Sequence, residues 1–226
     1  MYKWKRLDRA AFDDLIADAE ILSRDRHGLK VLRLTDGRIA KLFRRKRLVS
    51  SALIWPYAKR FIRGANHLNK LKIPTVQVTD LFKIRALKRD MVIYRPLDGI
   101  TLREALSPGQ NSPLLLENFA AFLAKLHQSG IYFRAIHFGN VILTRDPVFG
   151  LIDVSELYYS RSPLTLAKRI RNFKPIFRYR EDRAAVLAFG LPSFIDIYLH
   201  YTDIRGKTDR LKFQKGLSRI LKENEK

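Results

Sequence analysis

The sequence predicts an α+β protein of two lobes, a small β-rich N-terminal lobe at 1–94 and a mainly helical C-terminal lobe at 95–226. Three observations carry this reading. Short apolar runs of strand type fill much of the first 94 residues, with one long helical stretch among them. The Pro/Gly-interrupted linker Arg95-Pro96-Leu97-Asp98-Gly99 then separates the last of these strands from a helix that Thr101 can cap. Beyond it, amphipathic helices surround one small hairpin.

In chain order, residues 7–24 predict an N-terminal helix: Asp8 can cap it, and Phe12, Leu15, Ile16, Ala19 and Leu22 recur at helical spacing. Lys30 to Leu34 and Arg38 to Phe43 read as strands joined by the turn Thr35-Asp36-Gly37. The second strand places Lys41 among apolar neighbours, facing either solvent or an anion. Ser50 to Leu71 follows as a helix with Leu53, Tyr57, Phe61, Ala65 and Leu68 on one face, and Pro56 in its first turns or ending a short preceding helix. Ile73 to Val76, Val78 to Ile84 and Met91 to Tyr94 bring the lobe to five strands.

In the second lobe, Leu102 to Leu106 predicts a short helix, Ser107 to Pro113 a polar loop, and Leu114 to His127 a helix that stops at Ser129-Gly130. The loop from Tyr132 to Asn140 leads into two short strands, Val141 to Leu143 and Phe149 to Ile152, separated by Thr144-Arg145-Asp146-Pro147. Asn140 and Asp153 flank this hairpin, so their side chains can converge on one metal ion. Helices are expected at Pro163 to Asn172, Glu181 to Phe189, Pro192 to Thr202 and Lys207 to Lys222; the aromatic, basic segment Phe173 to Arg180 suits stacking on nucleic-acid bases or a lipid headgroup layer, with a core-packing strand or helix of basic outer side as its most ordinary reading.

Composition narrows the partners. With 226 residues and 46% hydrophobic content the chain can bury a proper core, and without cysteine it has no disulfide or thiolate metal site. The N-terminal Met1-Tyr2-Lys3-Trp4-Lys5-Arg6 leads into no apolar signal region and no run is long enough to span a bilayer, so the expected location is cytoplasmic, including the inner face of the membrane. Forty-four Lys and Arg against 22 Asp and Glu leave a net charge of +22, a field that attracts polyanions. The cations cluster at Arg44 to Arg47, at Lys59, Arg60 and Arg63, from Lys168 to Arg183, and from Arg205 to Lys226. An anionic glycolipid or membrane surface is the expected partner, with nucleic acid ranking last because charge alone supports it. No G-x-x-x-x-G-K-[ST], H-E-x-x-H, G-x-S-x-G or Cys/His zinc pattern occurs.

Lys41 on its strand, the linker from Tyr94 to Gly99, Leu123-Ala124-Lys125-Leu126-His127 before Gly130, His137-Phe138-Gly139-Asn140, and Leu151-Ile152-Asp153 thirteen residues beyond Asn140 resemble the kinase-like small-molecule phosphotransferases. Among these the chain is most similar to the lipopolysaccharide core kinases and the bacterial toluene tolerance proteins. The resemblance implies a protein-kinase-like fold that uses ATP and Mg²⁺. By it, Lys41 neutralises nucleotide phosphate, backbone near Tyr94 to Leu97 meets the adenine, and Asn140 and Asp153 hold the metal. Three features depart from the pattern. Gly28 is the only glycine in the phosphate-covering region, Ala135 stands where the catalytic Asp belongs, and no acidic residue lies between Asp36 and Asp80 to supply the helix Glu, leaving Asn66 as the nearest polar substitute. His137 is the candidate replacement base, with packing against the hairpin as its plainer role, and Arg134 is a candidate for a substrate phosphate or a structural ion pair. The expected function is a phosphotransferase acting on a sugar hydroxyl of an anionic glycolipid; the alternative is a pseudokinase scaffold.

Overall fold

The computed structural model describes residues 3–44, 56–107 and 112–224. Its class is α+β, with a β-sheet N-terminal region and a helical C-terminal region. The chain divides into two compact units, Met1–Leu97 and Asp98–Lys226.

The first unit is built on a six-stranded sheet of order β1-β5-β6-β4-β3-β2. Its strands are β1 (Lys5–Leu7), β2 (Glu20–Asp25), β3 (Gly28–Arg33), β4 (Ile39–Arg44), β5 (Gln77–Ile84) and β6 (Arg89–Arg95). The expected helix over 7–24 is confined to α1 (Arg9–Ile16), whose first turn is capped where Asp8 accepts the Ala11 N–H at 2.9 Å. Ile21 and Leu22 belong to β2 instead, where ladder pairing with β3 leaves both side chains exposed. Their apolar character had extended the helical period past its end. The segment Ile73 to Val76 is not a full strand, and β1 and β2 are additional ones, so the expected five become six.

Alternation along the strands sorts side chains to two faces. On one, Phe12 packs with Leu32, Leu34, Ala40, Leu42, Ile84, Met91 and Ile93. On the other lies α2 (Tyr57–Lys70), with Pro56 as its N-cap and Ala58, Phe61, Ala65 and Leu68 buried. Its Phe61 meets the rings of Phe43 at 5.8 Å and Tyr94 at 5.2 Å. Complete burial of such a side chain contributes about 1.5–3 kcal/mol. The remainder of the expected Ser50 helix, with Leu53, falls outside the described residues, as do Arg45 to Arg47 and Pro108-Gly109.

The second unit begins with β7 (Ile100–Thr101) and the single-turn α3 (Leu102–Ala105). Thr101 and Glu104 form a capping box: the Glu104 N–H donates to Thr101 Oγ1 at 3.1 Å and the Thr101 N–H to Glu104 Oε2 at 2.7 Å. The main helix α4 (Pro113–Gln128) buries Leu116, Phe119, Ala120, Leu123, Ala124, Leu126 and His127. The hairpin of β9 (Val141–Leu143) and β10 (Phe149–Leu151) joins β7 in a sheet of order β10-β9-β7. A side chain on Gly99 would place its Cβ 2.2 Å from the Leu143 carbonyl oxygen, and φ is +139°, so this approach requires glycine. β8 (Ile131–Phe133) pairs antiparallel with β11 (Leu157–Tyr159), a strand the apolar pattern did not announce.

Among the described residues five helices follow: α5 (Leu166–Asn172), α6 (Lys174–Arg178), α7 (Arg180–Phe189), α8 (Leu191–His200) and α9 (Lys207–Glu223). Phe173, between α5 and α6, is fully buried and meets the rings of Phe177, Phe194, Tyr198 and Phe213. Lys174 and Arg178 stay exposed on the outer side of α6. Among the described residues no helix is long and apolar enough to cross a membrane.

Candidate functional site

In the first unit, Lys41 is buried, with its ammonium 5.5 Å from the ring centroid of Phe61 and 5.7 Å from that of Phe43. The helix α2 thus presents an aromatic face to this cation, a contact that stabilises desolvated ammonium through the ring quadrupole. Asn66, the expected polar substitute for the helix Glu, is exposed on α2. The ladder identifies a carboxylate that sequence reasoning passed over. Lys41 is opposite Val92 and Phe43 opposite Asp90, so buried Asp90 lies on the same face of the sheet as Lys41, one diagonal step away. Tyr94 and Leu97, expected near the adenine, are both half-buried, Tyr94 against Phe61. The β2–β3 hairpin turns through Arg26 and His27 without a glycine-rich sequence. Buried Arg89 anchors it by donating to the carbonyls of His27 and Leu29.

In the second unit, backbone and side-chain hydrogen bonds hold the segment from Arg134 to Asp153 at several points. The Arg134 N–H donates to the Glu156 carbonyl at 3.1 Å, and the Ile136 N–H to the Phe133 carbonyl at 3.1 Å. Asn140 Nδ2 donates to the Ala135 carbonyl at 2.9 Å, which leaves its Oδ1 as the available acceptor. The Ile152 N–H donates to the Asn140 carbonyl at 3.1 Å, and Val141 pairs with Leu151, so Asn140 and Asp153 flank the same end of the hairpin. Asp153 takes the left-handed conformation, φ 53° and ψ 44°, which Asp tolerates better than most residues. An amide oxygen and a carboxylate are hard-oxygen donors of the kind Mg²⁺ takes alongside phosphate oxygens and water. Among the described residues no cluster of three or more His, Cys, Asp or Glu could hold a metal ion.

Ala135 brings a methyl group to the position after Arg134, so any proton acceptor there is the backbone carbonyl, already engaged by Asn140. His137 is half-buried, packs against Tyr179 with ring centroids 4.5 Å apart and the rings tilted by 46°, and has its Nδ1 buried without a hydrogen-bond partner among the described residues. Burial, opposed by Asp182, holds its pKa below the usual imidazole value. Arg134 meets Glu156 at 3.2 Å, and its hydrogen bond to Tyr158 together with that carboxylate strengthens its hold on the proton.

Beneath the loop lie residues that the sequence pattern did not single out. Asp182, fully buried on α7, accepts from Arg103 Nε at 2.7 Å and Nη2 at 3.1 Å and from the Phe138 backbone N–H at 2.7 Å. That carboxylate raises the Arg103 pKa further, and the guanidinium also covers the Tyr179 ring at 4.6 Å. A second support runs through buried His127. Asn172 Nδ2 donates to the Phe133 carbonyl at 2.7 Å, so Asn172 Oδ1 accepts from His127 Nε2 at 3.0 Å, and His127 Nδ1 accepts from the Tyr198 hydroxyl at 2.7 Å. Burial lowers the His127 pKa to about 3 and raises that of Tyr198, keeping both neutral. The only sequence signal for Asp182 was its place in the first turn of an expected helix. His127 stood within a recognised pattern, but its partners lie 45 and 71 residues away.

No family model matches the chain, and no curated protein matches it. Among solved structures, the chain is similar to one described as a divergent kinase lacking the glycine-rich loop that regulates membrane ultrastructure of the Toxoplasma parasitophorous vacuole. The identity is 15% and the TM-score 0.40, over 83% of this chain and 61% of that one, so this chain spans less than two thirds of that structure's length.

Proposed function

We propose that this protein is an ATP- and Mg²⁺-dependent phosphotransferase of the lipopolysaccharide-kinase type, acting on a sugar hydroxyl of an anionic glycolipid at a membrane surface. The observation that carries the reading is the pairing of Asn140 and Asp153 at one end of the β9–β10 hairpin, with the Asn140 amide fixed by Ala135. Asn140 Oδ1 and the Asp153 carboxylate would hold the metal, which neutralises phosphate charge when bound. Lys41 would add a second positive charge toward the nucleotide, and Tyr94 to Leu97 would supply the backbone groups for adenine. The net charge of +22 supports an anionic acceptor.

Phosphoryl transfer depends chiefly on positioning and charge stabilisation, so the methyl of Ala135 is compatible with turnover that is slow by about 10²- to 10⁴-fold, the usual worth of general-base help. A second reading, a nucleotide-binding pseudokinase, is favoured by that same methyl together with the exposed position of Asn66. Incubation with γ-labelled ATP, Mg²⁺ and a purified anionic glycolipid separates the two. Transfer of label to the lipid that Asp153→Asn abolishes supports the enzyme; nucleotide binding without transfer supports the scaffold.

A further inference from the structure

Beside Ala135 and His137, within the second unit, opens a cavity of about 410 Å³ whose wall includes Arg134, Arg171, Lys174 and Arg178. A second cavity, of about 460 Å³, shares Tyr132, Arg134 and Arg171 with it and adds Lys168. Each lies within the size range of small-ligand sites. Among the described residues neither wall contains a carboxylate. Glu156 engages Arg134 at 3.2 Å and Glu223 engages Lys174 at 3.3 Å. Arg171, Arg178 and Lys168 have no carboxylate partner among the described residues, so the pair of cavities keeps uncompensated positive charge.

The remaining wall is aromatic. Tyr132 and Tyr179 line the first cavity, and Tyr132, Tyr158 and Tyr159 the second. Tyrosine offers an apolar face with a hydrogen-bonding tip, suited to a saccharide ring with its hydroxyls. Guanidinium forks match phosphate oxygens. Ala135 belongs to this wall, and its methyl spares a bound anion the repulsion that a carboxylate at that position would impose.

From this arrangement we infer that the paired cavities bind a phosphorylated saccharide, the phosphate held by Arg171 and Arg178 and the sugar ring against the tyrosines. This deepens the proposed function and rests on it for the identity of the ligand as acceptor. Binding is nevertheless measured without nucleotide, so its failure is distinct from a failure of ATP use.

The test is calorimetric titration of the full chain with glucosamine 6-phosphate, glucosamine and inorganic phosphate, and flotation with phosphatidylcholine vesicles containing either a phosphorylated glucosamine lipid or phosphatidylglycerol. The sugar phosphate, free or lipid-borne, is expected to bind more tightly than glucosamine, inorganic phosphate or phosphatidylglycerol. Arg171→Gln/Arg178→Gln is expected to weaken that binding by about tenfold or more, the worth of lost charged hydrogen bonds. Arg85→Gln/Lys207→Gln removes equal charge from exposed positions outside both cavities and is expected to leave binding within about twofold, the size of surface charge effects. Binding of the soluble sugar phosphate assigns a free acceptor; binding of the glycolipid vesicles alone assigns a membrane-borne one. Equal binding of inorganic phosphate or phosphatidylglycerol, equal losses in the two double variants, or no binding of either sugar phosphate by the folded protein overturns the proposal. Circular dichroism of both variants establishes that they fold.

Discussion

Ala135 and His137 sit two positions apart on one loop, and their surroundings assign them different roles. The methyl of Ala135 takes no proton, while the His137 ring packs tilted against Tyr179 and is partly withdrawn from water. The packing role for His137 predicts that His137→Ala costs about 1–2 kcal/mol in urea unfolding, typical of a lost ring contact plus burial. The kcat per folded molecule should be unchanged, with any effect confined to the acceptor KM, because the ring also lines the cavity beside Ala135. A selective loss of turnover with unchanged KM would instead make the ring a base. His127 carries a pH prediction. Its folded pKa of about 3 lies below the ordinary 6.5, so its contribution to stability is complete above the ordinary value and is lost as pH falls toward the folded one. Unfolding free energy should therefore decline from about pH 6.5 to about pH 4.5, before ordinary carboxylates titrate. His127→Gln should reduce that slope.

At the scale of elements, the loop depends on α7 and α3 through the pair Asp182 and Arg103. Removing the fully buried Asp182 leaves the partly exposed Arg103 guanidinium to solvent and the buried Phe138 N–H without its acceptor. Asp182→Ala should cost about 1–3 kcal/mol by chemical denaturation, the usual penalty for an unsatisfied buried donor. Gly99→Ala tests the junction of β7 with β9. A Cβ 2.2 Å from the Leu143 carbonyl forces displacement on top of an unfavourable φ, so a loss of more than about 1 kcal/mol in unfolding free energy is expected.

These elements also mark what the sequence made legible. The long stripe of α4, the Asp36-Gly37 turn and the β9–β10 hairpin follow from local periodicity and turn chemistry, and they place Lys41, Asn140 and Asp153. Parallel pairing of β1 with β5 joins residues more than 70 positions apart, with Lys5 reaching Asp80 at 2.7 Å, and no local pattern encodes it. β2 escaped notice because its apolar side chains face outward at helical spacing. Asp90 was invisible as a companion to Lys41 until the register of β4 and β6 placed both on one face.

At the scale of the whole molecule, a hairpin flanked by Asn140 and Asp153 combines with a net charge of +22. We propose that Asn140 and Asp153 serve a magnesium-bound nucleotide. Calorimetric titration of the full chain with ATP, in the presence of Mg²⁺ and then of EDTA, tests it most directly. Binding is expected to require Mg²⁺ and to weaken by about tenfold or more in Asp153→Asn or Asn140→Leu, the size expected for a lost ligand contact. ATP binding of equal strength with EDTA, or equal binding by the wild type and Asp153→Asn, would contradict it.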